Sequence, residues 1–172
     1  MNIVLIGYRG TGKSSVAKIL AHRLGRRLVS TDAEVVTRAG RSIPDMVQEH
    51  GWEHFRDQES IVCRQMGTED GLIIDTGGGA ILRDENVRAL KGNGIVFWLT
   101  ASVPAIAARI AGDTNRPSLT GGKSFVDEVA EVLQERIPKY RGAADHALAT
   151  DNELPTQIAE RIIALLGPGP VH

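Results

Sequence analysis

Short apolar runs, each bounded by glycine or polar residues, recur at Asn2–Ile6, Arg27–Ser30, Leu72–Asp75, Ile95–Leu99 and His146–Thr150, and they predict buried strands. Between them the pattern changes to a helical period. Val16, Ile19, Leu20 and Leu24 fall on one face of a helix over Ser14–Leu24, and Ile158, Ile162, Ile163 and Leu166 do the same over Pro155–Leu166. Strands that alternate with helices imply a parallel sheet covered on both faces. Between the second and third strands, residues 32–65 carry a charged helical pattern broken near Gly40–Pro44 and at Gly51, which predicts an inserted lobe. Residues 112–124 gather Gly, Asn, Pro and Thr with two basic residues, the composition of a loop able to move as a lid, and 167–172 are expected to fray. With no internal repeat and no linker, residues 1–172 read as one domain.

Composition narrows the class of protein. The 172 residues carry 20 Lys+Arg against 21 Asp+Glu, a formal charge of −1, so the electrostatic footprint of a nucleic-acid binder is absent. Hydrophobic residues are 42%, enough for a well-filled core, while aromatics at 4% are too few for a surface that stacks successive bases. A single cysteine, Cys63, excludes an intramolecular disulfide framework, and its apolar neighbours make it a small core residue. The apolar start Ile3–Ile6 stops at Gly7 without a charged leader, and no apolar run approaches the roughly 18 residues needed to span a bilayer. A cytoplasmic protein with no membrane partner is expected. His50 and His54, four apart, lack a third ligand at metal spacing and read as exposed or hydrogen-bonded.

The strongest chemical signal is Gly7-Tyr8-Arg9-Gly10-Thr11-Gly12-Lys13-Ser14, a phosphate-loop pattern lying directly after an apolar strand and directly before a helix. The glycines let the backbone wrap closely, so that its N–H groups and the helix N-terminus face phosphate oxygens. Lys13 adds a mobile cation, and the Ser14 hydroxyl can ligate Mg²⁺. The order of glycines and the lysine exclude a dinucleotide fingerprint.

Four further motifs follow in order: Ser30-Thr31-Asp32 at the end of the second strand, Phe55-Arg56 in the insert, Gly77-Gly78-Gly79 after the third strand, and Arg116-Pro117 in the loop. In this combination the sequence resembles the shikimate kinases, a branch of the nucleoside-monophosphate-kinase-like group, from the first strand to Pro155. The resemblance implies an α/β fold of P-loop NTPase type, with a five-stranded parallel sheet of order 2-3-1-4-5, a substrate-binding insert and a lid over ATP. It also implies transfer of the γ-phosphoryl group of ATP to the 3-hydroxyl of shikimate, in aromatic amino-acid (chorismate) biosynthesis, by a monomer using Mg²⁺.

Residue roles follow from the same comparison. Catalysis is expected of Lys13, Asp32 and Arg116, the last as a loop cation closing over the transferring phosphate. The nucleotide is expected on Gly10, Thr11, Gly12, Lys13, Ser14, Ser15, Arg109, Arg116 and Pro155. Shikimate, with one carboxylate and three hydroxyls, calls for guanidinium forks and a carboxylate, expected from Arg56, Arg141 and Asp32, with Phe55 and Gly77, Gly78 and Gly79 beside them. Read without the resemblance, Asp32 caps a helix, Arg56 pairs with Glu53 or Glu59, and Arg141 complements a helix dipole.

One departure stands out. The family usually carries Asp-Thr-Asp after the second strand, and the first of these positions is Ser30 here. The third strand ends instead in Asp75, so Ser14 and Asp75 are expected to serve the metal. Two other readings stay open: a related small-molecule kinase such as a gluconate kinase, and a nucleotide-binding module without catalysis.

Overall fold

The computed structural model describes residues 1–111 and 124–168. Five strands, β1 (Asn2–Ile6), β2 (Leu28–Ser30), β3 (Ile73–Asp75), β4 (Gly94–Thr100) and β5 (His146–Ala149), form one sheet in the order β2-β3-β1-β4-β5, and every pairing is parallel. This is the sheet that the resemblance implied. All five predicted strands occur, with ends shifted by a residue at most.

The two-residue period of β1 divides the core into two layers. Val4 and Ile6, with Ile74, Val96 and Trp98, face α2 (Thr31–Ala39), α3 (Ile43–Thr68) and α4 (Asp84–Lys91). Ile3 and Leu5, with Ile73, Phe97 and Leu99, face α1 (Lys13–Leu24) and α7 (Pro155–Leu166) through Val16, Leu20, Ile158 and Ile162. A third, smaller cluster joins α5 (Val103–Ile110) to α6 (Phe125–Ala143) around Tyr8, Ile106, Ile110, Val129 and Val132.

The breaks predicted in the insert are backbone events. Gly40 ends α2 at φ 65°, and Gly51 interrupts α3 at φ 82°, ψ 171°, so α3 is a short and a long helix joined at a bend. Cys63 is fully buried on the long part, and burial pushes its thiol well above the usual range, which leaves it inert. His50 and His54 meet across the bend with ring centroids 4.8 Å apart and planes tilted by 47°. Among the described residues no helix is long and apolar enough to cross a membrane.

Asn2 locks the sheet to the end of α3. Fully buried, it donates to the carbonyls of Met66 (3.3 Å) and Glu69 (3.0 Å) and accepts from the Leu72 N–H (2.8 Å). Asn2→Ala leaves these groups unmet, and it is expected to lower unfolding free energy by about 2 kcal/mol, read as a lower urea midpoint at unchanged slope. An unshifted midpoint contradicts this role.

Candidate active site

The parallel sheet delivers the ends of β1, β2 and β3 to one edge, and the loop leaving β1 turns there into α1. Gly10 and Gly12 take φ 83° and 95°, values that favour glycine, and Gly12 stands at the helix N-cap. No side chain caps α1 and its first turn holds no acidic residue, so its leading N–H groups and positive dipole end are available to an anion. Lys13 is buried, and its Nζ donates to the carbonyls of Gly7 (2.8 Å) and Tyr8 (3.0 Å).

Beside this cradle lies a cleft of about 410 Å³ whose walls include Arg9, Lys13, Ser14, Asp32, Asp75 and Gly78. Asp75, at the end of β3, is 9% exposed and accepts from the Ser14 hydroxyl at 2.7 Å. Burial raises its pKa, opposed by the charge of Lys13 and the Ser14 hydrogen bond. Ser30 is the register partner of Asp75 on β2, yet its hydroxyl is engaged elsewhere, accepting from the Ala33 N–H at 3.2 Å and capping α2. The cap is therefore Ser30, and Asp32, one residue into the helix, lines the cleft instead.

Opposite α2 stands the glycine triplet. The Gly77 N–H donates to Thr31 Oγ1 at 2.9 Å, and a Cβ on Gly77 would stand 2.5 Å from Asp32 Oδ1 and 2.9 Å from Glu59 Oε2. A Cβ on Gly79 would stand 2.3 Å from Arg56 Nη2. Both positions need glycine because charged side chains occupy the space. Arg56 is buried and ion-paired with Glu59 at 2.9 Å, with its guanidinium carbon 5.2 Å from the Phe55 ring centroid and 5.4 Å from that of Trp52.

Two expected substrate contacts are placed elsewhere. Phe55 is fully buried and acts as the floor under Arg56. Arg141 is exposed and borders a separate 140 Å³ cavity with Tyr8, Thr100 and Leu133. The guanidinium that α6 brings to the glycine triplet is Arg136, buried, its carbon 5.7 Å from the Tyr8 ring centroid and its Nη1 3.5 Å from where a Gly78 Cβ would stand. Five residues along a helix is a rotation of about 140° around the axis, which turns Arg141 away from the face that Arg136 presents. Sequence reasoning missed Arg136, and only the rotational phase of α6 could have signalled it, whereas Glu59 was expected as a partner of Arg56 and is found as one, in a buried pair beside the triplet. Tyr140 completes this wall: its hydroxyl donates to the Gly78 carbonyl, its ring stacks on Trp98 at 5.7 Å, and burial pushes its pKa up to about 12.

On the other side of the cradle a second cavity of about 380 Å³ is lined by Thr11, Ser15, Arg109, Thr150 and Pro155, and shares Gly10 and Gly12 with the first. Arg109 is tied in place, Nη1 donating to Gly10 O and Thr150 Oγ1 and Nη2 to Thr150 O, each at 3.1 Å. The structure thus brings together Gly10, Thr11, Gly12, Lys13, Ser14, Ser15, Arg109 and Pro155. Arg116 and Pro117, with residues 112–123, lie outside the described residues.

Comparison with known proteins gives this architecture a lineage. The family model for shikimate kinase matches residues 9–167. A shikimate kinase of Nitratidesulfovibrio vulgaris is 44% identical over 95% of this chain and 94% of its own. The solved shikimate kinase from Acinetobacter baumannii in complex with shikimate superposes with TM-score 0.91 at 33% identity, covering 96% of this chain and 92% of that one. A gluconokinase from Sinorhizobium meliloti 1021 shares the fold alone, with TM-score 0.60 at 17% identity. A phosphate cradle between two cavities, a five-stranded sheet of this order and near-full-length similarity to these enzymes lead to one conclusion: the chain belongs to the shikimate kinase family.

Proposed function

We propose that this shikimate kinase phosphorylates the 3-hydroxyl of shikimate across the cradle that its two cavities share, with adenine on the Arg109 side and shikimate on the Asp32 side. The observation that carries this reading is the set of charges around Gly77–Gly79: half-buried Asp32 on α2, the buried Arg56–Glu59 pair on α3 and buried Arg136 on α6. Arg56 and Arg136 supply forks for the carboxylate of shikimate, and Asp32 orients its hydroxyls. In the transfer the 3-hydroxyl oxygen bonds to the γ-phosphorus as that phosphorus parts from the β,γ-bridging oxygen. ADP leaves, and the hydroxyl proton passes to Asp32. Lys13 offsets charge on the phosphates, and Arg116 is assigned the closing cation. The roles assigned call on no residue of a second subunit, and the enzyme is assigned as a monomer. ATP as co-substrate and a single, reduced cysteine support a cytoplasmic enzyme.

Mg²⁺ fits the oxygen donors at the edge of the cradle. The Ser14 hydroxyl and the Asp75 carboxylate, 2.7 Å apart, are hard oxygen ligands that would hold one ion beside the phosphates. When bound, it neutralises charge on the β- and γ-phosphates. Ser30 is engaged as a cap, so Asp75 is the carboxylate that this chain offers to the metal.

An ADP-release assay with MgATP tests the substrate: turnover is expected with shikimate and none with gluconate, and turnover of gluconate alone overturns the reading. Gly79→Ala displaces the flexible end of Arg56 and not a backbone, so thermal stability should hold while the KM for shikimate rises about tenfold, the worth of one charge-assisted hydrogen bond. An unchanged KM removes Arg56 from the substrate. Asp75→Asn should raise the Mg²⁺ concentration for half-maximal rate about tenfold and leave shikimate affinity unchanged. Adding Ser30→Asp to that variant should recover part of the loss, because paired positions on adjacent strands lie about 4.8 Å apart. An unaltered Mg²⁺ dependence ends the metal assignment.

A further inference from the structure

Among the described residues, the charged side chains set around the two cavities are engaged, with one exception. Arg56 is paired with Glu59, Arg109 bonds Gly10 and Thr150, Lys13 bonds Gly7 and Tyr8, and Arg136 lies over Tyr8 within reach of the Tyr140 hydroxyl. Arg9 is different. It is half-buried on the wall of the cleft that Lys13, Asp32 and Gly78 also line, and its Nη1 is buried with no hydrogen-bond partner among the described residues. An unmet guanidinium N–H sealed from water is costly, and a fold keeps one where a ligand oxygen completes it.

The position of Arg9 says which ligand. It occupies a variable place in the phosphate loop, where the pattern asks for no particular side chain. Its backbone nitrogen is 3.3 Å from where a Gly78 Cβ would stand, so it marks the seam where the cradle meets the glycine triplet. Lys13 is anchored on the nucleotide side of that seam, and Arg56 and Arg136 stand over the triplet on the acceptor side. The group that crosses the seam during the reaction is the phosphoryl group.

We propose that Arg9 is a catalytic residue of this enzyme: its guanidinium meets the transferring phosphoryl group as it leaves ADP and holds the phosphate of the phosphorylated product. The proposal rests on the reading of the cleft as the site of phosphoryl transfer. A planar fork suits two equatorial oxygens of one phosphoryl group, and a cation built into the cradle needs no loop closure to reach them. Charge moves toward Arg9 as transfer proceeds, so its interaction is stronger in the transition state and product than with shikimate and ATP.

The test uses the full chain with Arg9→Met and Arg9→Lys. The two readouts are steady-state rates and the binding of shikimate and of its 3-phosphate, followed by intrinsic tryptophan fluorescence. Arg9→Met should lower kcat about 100-fold, the loss typical of one preorganised donor, with shikimate affinity within about twofold of the parent. It should weaken the 3-phosphate about tenfold, and Arg9→Lys should regain part of both losses as a point charge without the fork. A kcat within about threefold of the parent overturns the proposal. So does equal weakening of shikimate and its 3-phosphate, or a loss that Arg9→Lys does not relieve, either of which marks a structural residue. A parent chain that does not turn over shikimate refutes the underlying reading instead, so the two failures are distinguishable.

Discussion

The site depends on the parallel register of β2, β3 and β1, because strands that run the same way present all their C-terminal ends along one edge of the sheet. Asp75 pairs with Leu5 on one side and Ser30 on the other, which sets a carboxylate between the strand that leads into the phosphate cradle and the strand that leads into α2. Both faces of the sheet are covered by helices, so this edge is where chain ends meet solvent. The burial that raises the pKa of Asp75 is the cost of the placement. The Ser14 hydroxyl and the charge of Lys13 offset it.

The glycine triplet builds the second half of the site by leaving space. With no Cβ at Gly77 or Gly79, a carboxylate from α2, another from α3 and the Arg56 guanidinium approach the backbone closer than any other residue permits. These groups do not wander, since Arg56 is held by Glu59 and by the faces of Trp52 and Phe55, while Tyr140 grips the Gly78 carbonyl and stacks on Trp98. A polar site held by aromatic floors and a buried ion pair is already arranged before a ligand enters. That is the electrostatic preorganisation on which phosphoryl transfer relies.

Much of this was legible in the chain. The phosphate cradle is a local motif whose eight residues are consecutive, its glycines acting through backbone shape and Lys13 and Ser14 through side chains at fixed positions, so no distant contact is needed to recognise it. The strands declared themselves as short apolar runs, since burial on both faces leaves little room for polar residues, and α1 and α7 by their helical period, which burial of one face imposes. The bend at Gly51 and the end of α2 at Gly40 followed from glycine alone. Asp75 was visible as an acid closing an apolar strand, though its meeting with Ser14 needed two strands brought together.

What the sequence by itself determined, then, is every feature carried by neighbouring residues: the cradle, the element order and the family they resemble. The tertiary structure alone decided which side chains of distant elements share one space. Arg136 and not Arg141 reaches the triplet because the rotation of α6 against β4 and Tyr8 selects its face. Phe55 supports Arg56 from beneath because the core closes around it, and Ser30 rather than Asp32 caps α2 because the last residue of β2 enters the helix in extended conformation. Arg9 acquires its unmet nitrogen only once the triplet folds against the cradle. Linear spacing carries no record of these choices, since helix rotation and burial are settled by packing between segments far apart in the chain.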